Sequence, residues 1–289
     1  MSELADGGMP FPFGVNEFTT MPWTFEEDVE QYANLGIDAI EVCEVKLDDR
    51  RYAEQLALIA ERRLAISAVQ PLARTFFSSQ MQPQPTGLES RTARLRQSIE
   101  RIAPFAPGTA FIVNTGAPPK GNVAEAINVV TRQLRSLSDL AADRGVRIAL
   151  EPLNATAMNT ETAIWTVSQA LDIVDAVDRR NVGICLDLWN NWQDAEIEDE
   201  IRRAGERIFA LQVSDWRTPR SSGDRLIPGR GSIPLGRLLH AVYDVGYQDV
   251  CTIEIFSQDV PDSLYDTDLH TVVQESRKGL DVAWRKAHI

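Results

Sequence analysis

Short apolar runs alternate with longer amphipathic ones along the whole chain, and no Pro/Ser-rich linker divides the series. The apolar runs read as strands at Phe13–Glu17, Ala39–Cys43, Ala65–Val69, Ala110–Asn114, Val146–Glu151, Val182–Asp187, Ile208–Val213 and Val250–Ile255. Helical stretches fall near 24–35, 49–63, 88–104, 122–144, 162–178, 196–205, 234–245 and 262–286. Strands that alternate with helices imply parallel βαβ units. Eight such units predict closure into a (β/α)8 barrel, and 289 residues suit the length of about 250 that one barrel takes. The expectation is a single barrel domain over residues 1–289.

Local signals agree with this segmentation. Thr24 with Glu27 three residues on is a capping box for the first helix. Gly36, Gly145 and Gly246 stand where helices should stop. Pro83, Pro85 and Gly87 mark Ser78–Gly87 as a loop after the third strand, on the side where barrels build their active sites. It is expected to be either a lid or a mobile surface loop.

Composition excludes some functions. With 44% apolar and 25% charged residues the chain is ordinary for a globular protein. It has no apolar run of the roughly 18 residues that span a bilayer, and MSELADGGMP lacks a basic leader region, which predicts a cytoplasmic protein. A formal charge of −13 repels phosphate backbones and anionic lipids, so neither nucleic acid nor membrane is an expected partner. Cys43, Cys185 and Cys251 form no CxxC and lie in apolar runs, where buried free thiols are expected.

The register of the last four strands points to a site. Side chains two apart on a strand share a face. If Glu151, Asp187, Gln212 and Glu254 point into the barrel mouth, then Ala149, Cys185, Ala210 and Thr252 point inward too, and all four are small. Ile148, Leu150, Ile184, Leu186, Phe209, Leu211, Cys251 and Ile253 should then face the helices, and all but Cys251 are large and apolar. Strand C-termini are where barrel enzymes keep their chemistry. Three carboxylates around one mouth repel unless a proton or cation lies between them. All-oxygen ligation by Glu151, Asp187, Gln212 and Glu254 suits one divalent Mn²⁺ or Mg²⁺ better than Zn²⁺. His240, His270 and His288 lie in helices or the tail, away from any such centre.

At these residues the chain resembles the sugar phosphate isomerase/epimerase family. These are xylose-isomerase-like barrels that include ketose 3-epimerases, hydroxypyruvate isomerase, inosose dehydratases and an apurinic-endonuclease branch. The resemblance covers nearly the whole chain and rests on IALEPLN (148–154), VGICLDLWN (182–190), ALQVSDWR (210–217), PGRGSIPL (228–235) and VCTIEIF (250–256). It implies metal ligation by Glu151, Asp187, Gln212 and Glu254, with Gln212 in the hydroxypyruvate-isomerase-like manner. It also implies that Glu151 and Glu254 are the proton-transfer pair. Asn190 stands where the family often has His, and the additional His ligands of the endonuclease branch are absent from the sequence.

The implied reaction is proton abstraction beside a carbonyl through a metal-stabilised enediolate, giving an isomerase or epimerase. The same anion could expel a β-leaving group, so a lyase (a dehydratase, or a deglycosidase acting on a 3-keto sugar) is the alternative. A non-catalytic barrel subunit and a homo-oligomer both stay open. The substrate is a small sugar or keto sugar. Candidate substrate residues are Gln70, Asn114, Asn154, Asn190, Arg217 and Trp189, with Glu17, Glu41, Glu44, Arg74, Trp192 and Trp216 also near strand ends. Arg217 and Arg230 bracket the loop after the seventh strand, where they could hold an anion or simply pair with Asp215 or Asp224.

Overall fold

The computed structural model describes residues 8–287, so His288 lies outside the described residues. Eight strands close into a barrel in chain order: β1 Phe13–Asn16, β2 Ala39–Cys43, β3 Ala65–Gln70, β4 Ala110–Val113, β5 Arg147–Leu150, β6 Val182–Asp187, β7 Ile208–Val213 and β8 Cys251–Ile253. All neighbours pair in parallel, including β1 with β8. The helices are α1 Phe25–Asn34, α2 Tyr52–Glu61, α3 Leu88–Ile102, α4 Val123–Asp143, α5 Val167–Val177, α6 Leu188–Asn191, α7 Ile197–Ala204, α8 Leu235–Asp244 and α9 Leu269–Lys286. The (β/α)8 architecture is thus the one the alternation predicts. Among the described residues no helix is long and apolar enough to cross a membrane.

Turn chemistry sets the element ends. Thr24 and Glu27 form the expected capping box. Gly36, Gly145 and Gly246 adopt φ of 66°, 68° and 85°, the left-handed conformation in which a Cβ would be strained. The short α6 was not foreseen. Asp187, the last residue of β6, caps it by accepting from the Trp189 amide at 2.9 Å, so the helix grows directly out of a site residue.

The barrel interior is built from small side chains. Ala68, Ala110, Ile112, Ala149, Cys185 and Ala210 pack together with Phe209 inside the sheet. Ile148, Leu150, Ile184, Leu186, Leu211, Cys251 and Ile253 join the much larger layer between sheet and helices. Phe209, expected to face the helices, corrects the alternation. The β6–β7 ladder slips by one residue, Ile184 pairing with Ile208 but Cys185 with Ala210, so Phe209 is the extra residue of a bulge. Its ring turns inward beneath Gly183, where an added Cβ would come within 2.7 Å of it. The guanidinium of Arg147 covers it at 4.6 Å. Beyond the slip, Asp187 pairs with Gln212, which restores the expected register at the mouth.

Candidate active site

Glu151 and Glu254 lie one residue past the last paired residues of β5 and β8, yet both stay in line with the sheet. Their amides donate to Val113 O at 2.9 Å and Val213 O at 3.0 Å. With Asp187 they form a buried triad whose carboxylate oxygens can lie within 4.8 Å of one another. All three are 5% exposed or less.

Neutral amides hold the triad in place. Glu151 accepts from Asn114 at 2.8 Å and Asn190 at 2.9 Å, and Asn190 also reaches Asp187 at 2.8 Å. Glu254 Oε1 accepts from the side-chain nitrogens of Asn16, Gln70 and Gln212 at 3.0, 3.2 and 3.2 Å. The same three nitrogens donate to Glu41 Oε1 at 2.8, 3.0 and 2.6 Å, so Glu41 sits in the barrel as a second acceptor of one amide cage. Gln212 Oε1 takes the Cys185 thiol at 3.2 Å.

One cation answers the triad, and the sequence reading did not single it out. Arg225 reaches Asp187 at 2.9 Å and Glu254 at 3.1 Å, with its guanidinium 4.5 Å from the centre of the Trp189 ring. It comes from the long segment between β7 and α8, folded back over the mouth by the antiparallel bridges Asp215–Leu226 and Asp224–Ser257. Asp215 fixes the rest of that segment by accepting from the amides of Trp216, Gly229, Gly231 and Ile233. A Cβ on Gly231 would strike Trp216 O at 2.3 Å, so only glycine fits there.

Fully ionised, the three carboxylates of the triad exceed the Arg225 guanidinium by two charges, and Glu41 in the same amide cage adds to the excess. Burial, and then Asp187 beside it, pushes the Glu151 carboxyl up to about 7. Burial raises Asp187 in spite of Arg225. It raises Glu254 further, with Asp187, Glu151 and Glu41 adding to the effect. A divalent cation would supply the missing charge, and the oxygen donor set suits a hard ion. The residues present therefore fit such an ion.

Glu151 and Glu254 of the triad line a cavity of about 500 Å³, together with Gln70, Asn114, Asn154, Trp189, Asn190 and Arg225 among others. Arg217 stands outside it. It pairs with Asp224 at 2.5 Å and Asp262 at 2.9 Å, the plainer alternative foreseen for it. Arg230 likewise pairs with Glu275. Trp192 and Trp216 stack behind Trp189 instead of lining the cavity. Glu17 and Glu44 face away from it. Glu17 accepts from the Cys43 amide at 2.7 Å, and Glu44 from the Leu72 amide at 2.8 Å.

The Pro-rich loop after β3 roofs this cavity with Ser79, Gln80, Met81 and Gln82. It is tied down on two sides. Met81 N donates to the Glu161 carboxylate at 3.1 Å, and Gln80 N to Thr160 O at 3.2 Å. The fully buried Arg91 donates to Thr75 O at 2.8 Å, Pro85 O at 2.6 Å and Gln82 O at 3.1 Å.

Comparison with known proteins agrees with this fold. The family model for the xylose isomerase-like TIM barrel matches residues 29–281. An inosose isomerase of Bacillus licheniformis is 35% identical over 128 residues, 43% of this chain and 45% of that protein. A 3-dehydroshikimate dehydratase of Pseudomonas aeruginosa is 28% identical over 248 residues, 81% of this chain but 36% of that protein. The matches thus span less than half the length of these relatives. Among solved structures, a Sinorhizobium meliloti protein superposes with a TM-score of 0.84 at 22% identity, over 95% of this chain and 98% of the other.

Proposed function

The chain belongs to the xylose isomerase-like TIM barrel family, and from that premise we propose that it is a divalent-metal-dependent sugar isomerase or epimerase. The observation that carries the reading is the buried triad of Glu151, Asp187 and Glu254, with oxygens that can converge within 4.8 Å at the mouth of a cavity. Relatives named inosose isomerase and D-psicose 3-epimerase, at 35% and 32% identity over 43% of the chain, support it.

Glu151, Asp187 and Glu254 would hold the ion together with Gln212, whose carbonyl must turn from Cys185 to reach it. When bound, a Mn²⁺ or Mg²⁺ ion supplies Lewis acidity toward the carbonyl and hydroxyl oxygens of a sugar. The chain's own groups do the rest. Glu151 and Glu254 reach the cavity from the ends of β5 and β8, two strands that are not neighbours in the barrel, so one can take the proton from the carbon beside the carbonyl and the other return it. Asn114 and Asn190 fix the oxygens of Glu151, and Asn16 and Gln70 fix Glu254. Return to the neighbouring carbon gives isomerisation, and return to the opposite face gives epimerisation. Trp189, stacked under Arg225, offers an apolar wall to a sugar ring.

A lyase is the second reading, favoured by the match to 3-dehydroshikimate dehydratase over 81% of the chain. The two diverge after the same proton is removed, when a β-leaving group departs in place of reprotonation. Incubation with Mn²⁺ in D₂O against ketoses, keto acids and 3-keto glycosides tests both. Deuterium entering recovered substrate or its isomer is the expected result. An unsaturated product that has lost water or an aglycone would select the lyase, and neither exchange nor elimination on any compound would refute both.

A further inference from the structure

Three guanidiniums line the cavity, and two of them are already paired. Arg225 is held by Asp187 and Glu254. Arg220 is held by Asp224 at 2.8 Å and by Asp262. The third, Arg74, has no carboxylate within 4.0 Å and no side-chain hydrogen bond among the described residues. Its side chain lies against the Phe18 ring, 5.4 Å from the centroid. Its backbone is fixed on both sides, the amide donating to Gln82 Oε1 at 3.2 Å and the carbonyl accepting from Asn114 N at 2.7 Å. A guanidinium cannot shed its charge, and the chain holds 42 acidic against 29 basic side chains. An acid to pair with it was plentiful, yet none is placed there.

The surroundings of Arg74 strengthen the positive field. Arg91, on the same side of the loop, donates only to neutral oxygens of Thr75, Gln82 and Pro85. Of the acids that line the cavity, Glu161 is engaged by the Met81 amide, and Glu151 by Asn114 and Asn190. The hydroxyl of Thr75 is donated to Phe77 O, while that of Ser79 accepts from Gln82 N and keeps its proton for one further acceptor. Arg74 is the planar, forked cation that this wall offers, with the Ser79 hydroxyl beside it in the lining. That matches a single carboxylate, which takes two parallel N–H bonds, better than a phosphate dianion, which calls for more donors.

We propose that Arg74 receives a carboxylate of the substrate, so that the compound turned over is a keto-sugar acid or hydroxy-keto acid and not a neutral ketose. The inference rests on the metal-dependent reading above for what is turned over, but the anion subsite can be tested without turnover.

The test compares D-gluconate with D-glucitol, which differ at one end by a carboxylate, as ligands of the Mn²⁺-loaded protein by titration calorimetry. Wild type should bind gluconate at least about tenfold more tightly, the usual worth of a hydrogen-bonded charge. Arg74→Gln should erase that margin, and Arg74→Lys should keep part of it, while metal content stays the same in both variants. A margin absent from wild type would overturn the proposal. So would a margin retained by Arg74→Gln, which would place the carboxylate on the metal. Glucitol 6-phosphate binding tighter than gluconate in an Arg74-dependent way would overturn the assignment to a carboxylate. Deuterium exchange on a neutral ketose faster than on its acid would overturn this inference and leave the isomerase reading standing. Failure to take up metal, with an Arg74-dependent gluconate margin measured on metal-free protein, would do the reverse.

Discussion

Glu254→Gln, assayed at saturating Mn²⁺, is expected to turn over about 10²–10⁴-fold more slowly, the loss typical of a missing general base or acid. The amide keeps one oxygen for a cation but cannot accept the proton. It also cannot satisfy both sides of its site. Oε1 of Glu254 takes three amide donors and Oε2 takes Arg225, so an NH₂ on either side faces another donor. Asp187→Asn makes a contrast, because Asp187 is assigned to the metal and to no proton transfer. Excess Mn²⁺ should restore much of its rate but leave Glu254→Gln depressed, with solvent deuterium uptake falling in parallel. If excess metal rescues both variants equally, Glu254 is only a ligand. Glu41, which shares its amide cage, would then be the base to test.

Arg225→Met should have the largest effect on stability. The substitution removes the one guanidinium that, among the described residues, touches Asp187 and Glu254, while leaving their charges buried. Breaking a buried pair in this way costs about 3–5 kcal/mol. The cost should depend on pH in a definite direction. Glu151, Asp187 and Glu254 all hold protons more firmly folded than unfolded. Metal-free protein therefore loses stability as pH rises from the ordinary carboxylate value of about 4 through the Glu151 value of about 7. The variant should fall more steeply over that window than wild type. Mn²⁺ at a hundredfold over its Kd should return about 2.7 kcal/mol. Urea melts at pH 5 and pH 8, with and without Mn²⁺, would show this. A variant that melts like wild type at pH 8 would mean that Arg225 does not balance the triad.

The site was legible where strand geometry alone fixes a side chain. Glu151, Asp187, Gln212 and Glu254 end strands whose inward neighbours Ala149, Cys185 and Ala210 are small, and that alternation survives in the interior. It failed at Phe209, because a one-residue slip in the ladder has no signature in apolar periodicity. It also misled at the ends of β1 and β2. There Asn16 and Glu41 face inward, so Glu17 points out and Glu44 falls in the short turn after Cys43. Arg225 could not be found by period at all. It reaches the mouth through two isolated bridges across a segment without regular structure. The one local hint is Gly223 two residues before it, where a Cβ would collide with Gln258 at 2.4 Å and keep the segment from folding back. Arg217, the more conspicuous arginine beside the strand end, turns to Asp224 and Asp262.

The central claim is that Glu151, Asp187, Gln212 and Glu254 hold one divalent ion, and calorimetric titration of chelator-stripped protein with Mn²⁺ tests it most directly. The account predicts one site per chain in wild type. It predicts a much weaker site in Asp187→Asn, and none in the double variant Glu151→Gln/Asp187→Asn, which retains its fold by circular dichroism. Stoichiometric binding that persists undiminished in the double variant, or no binding by wild type at millimolar Mn²⁺, would contradict it.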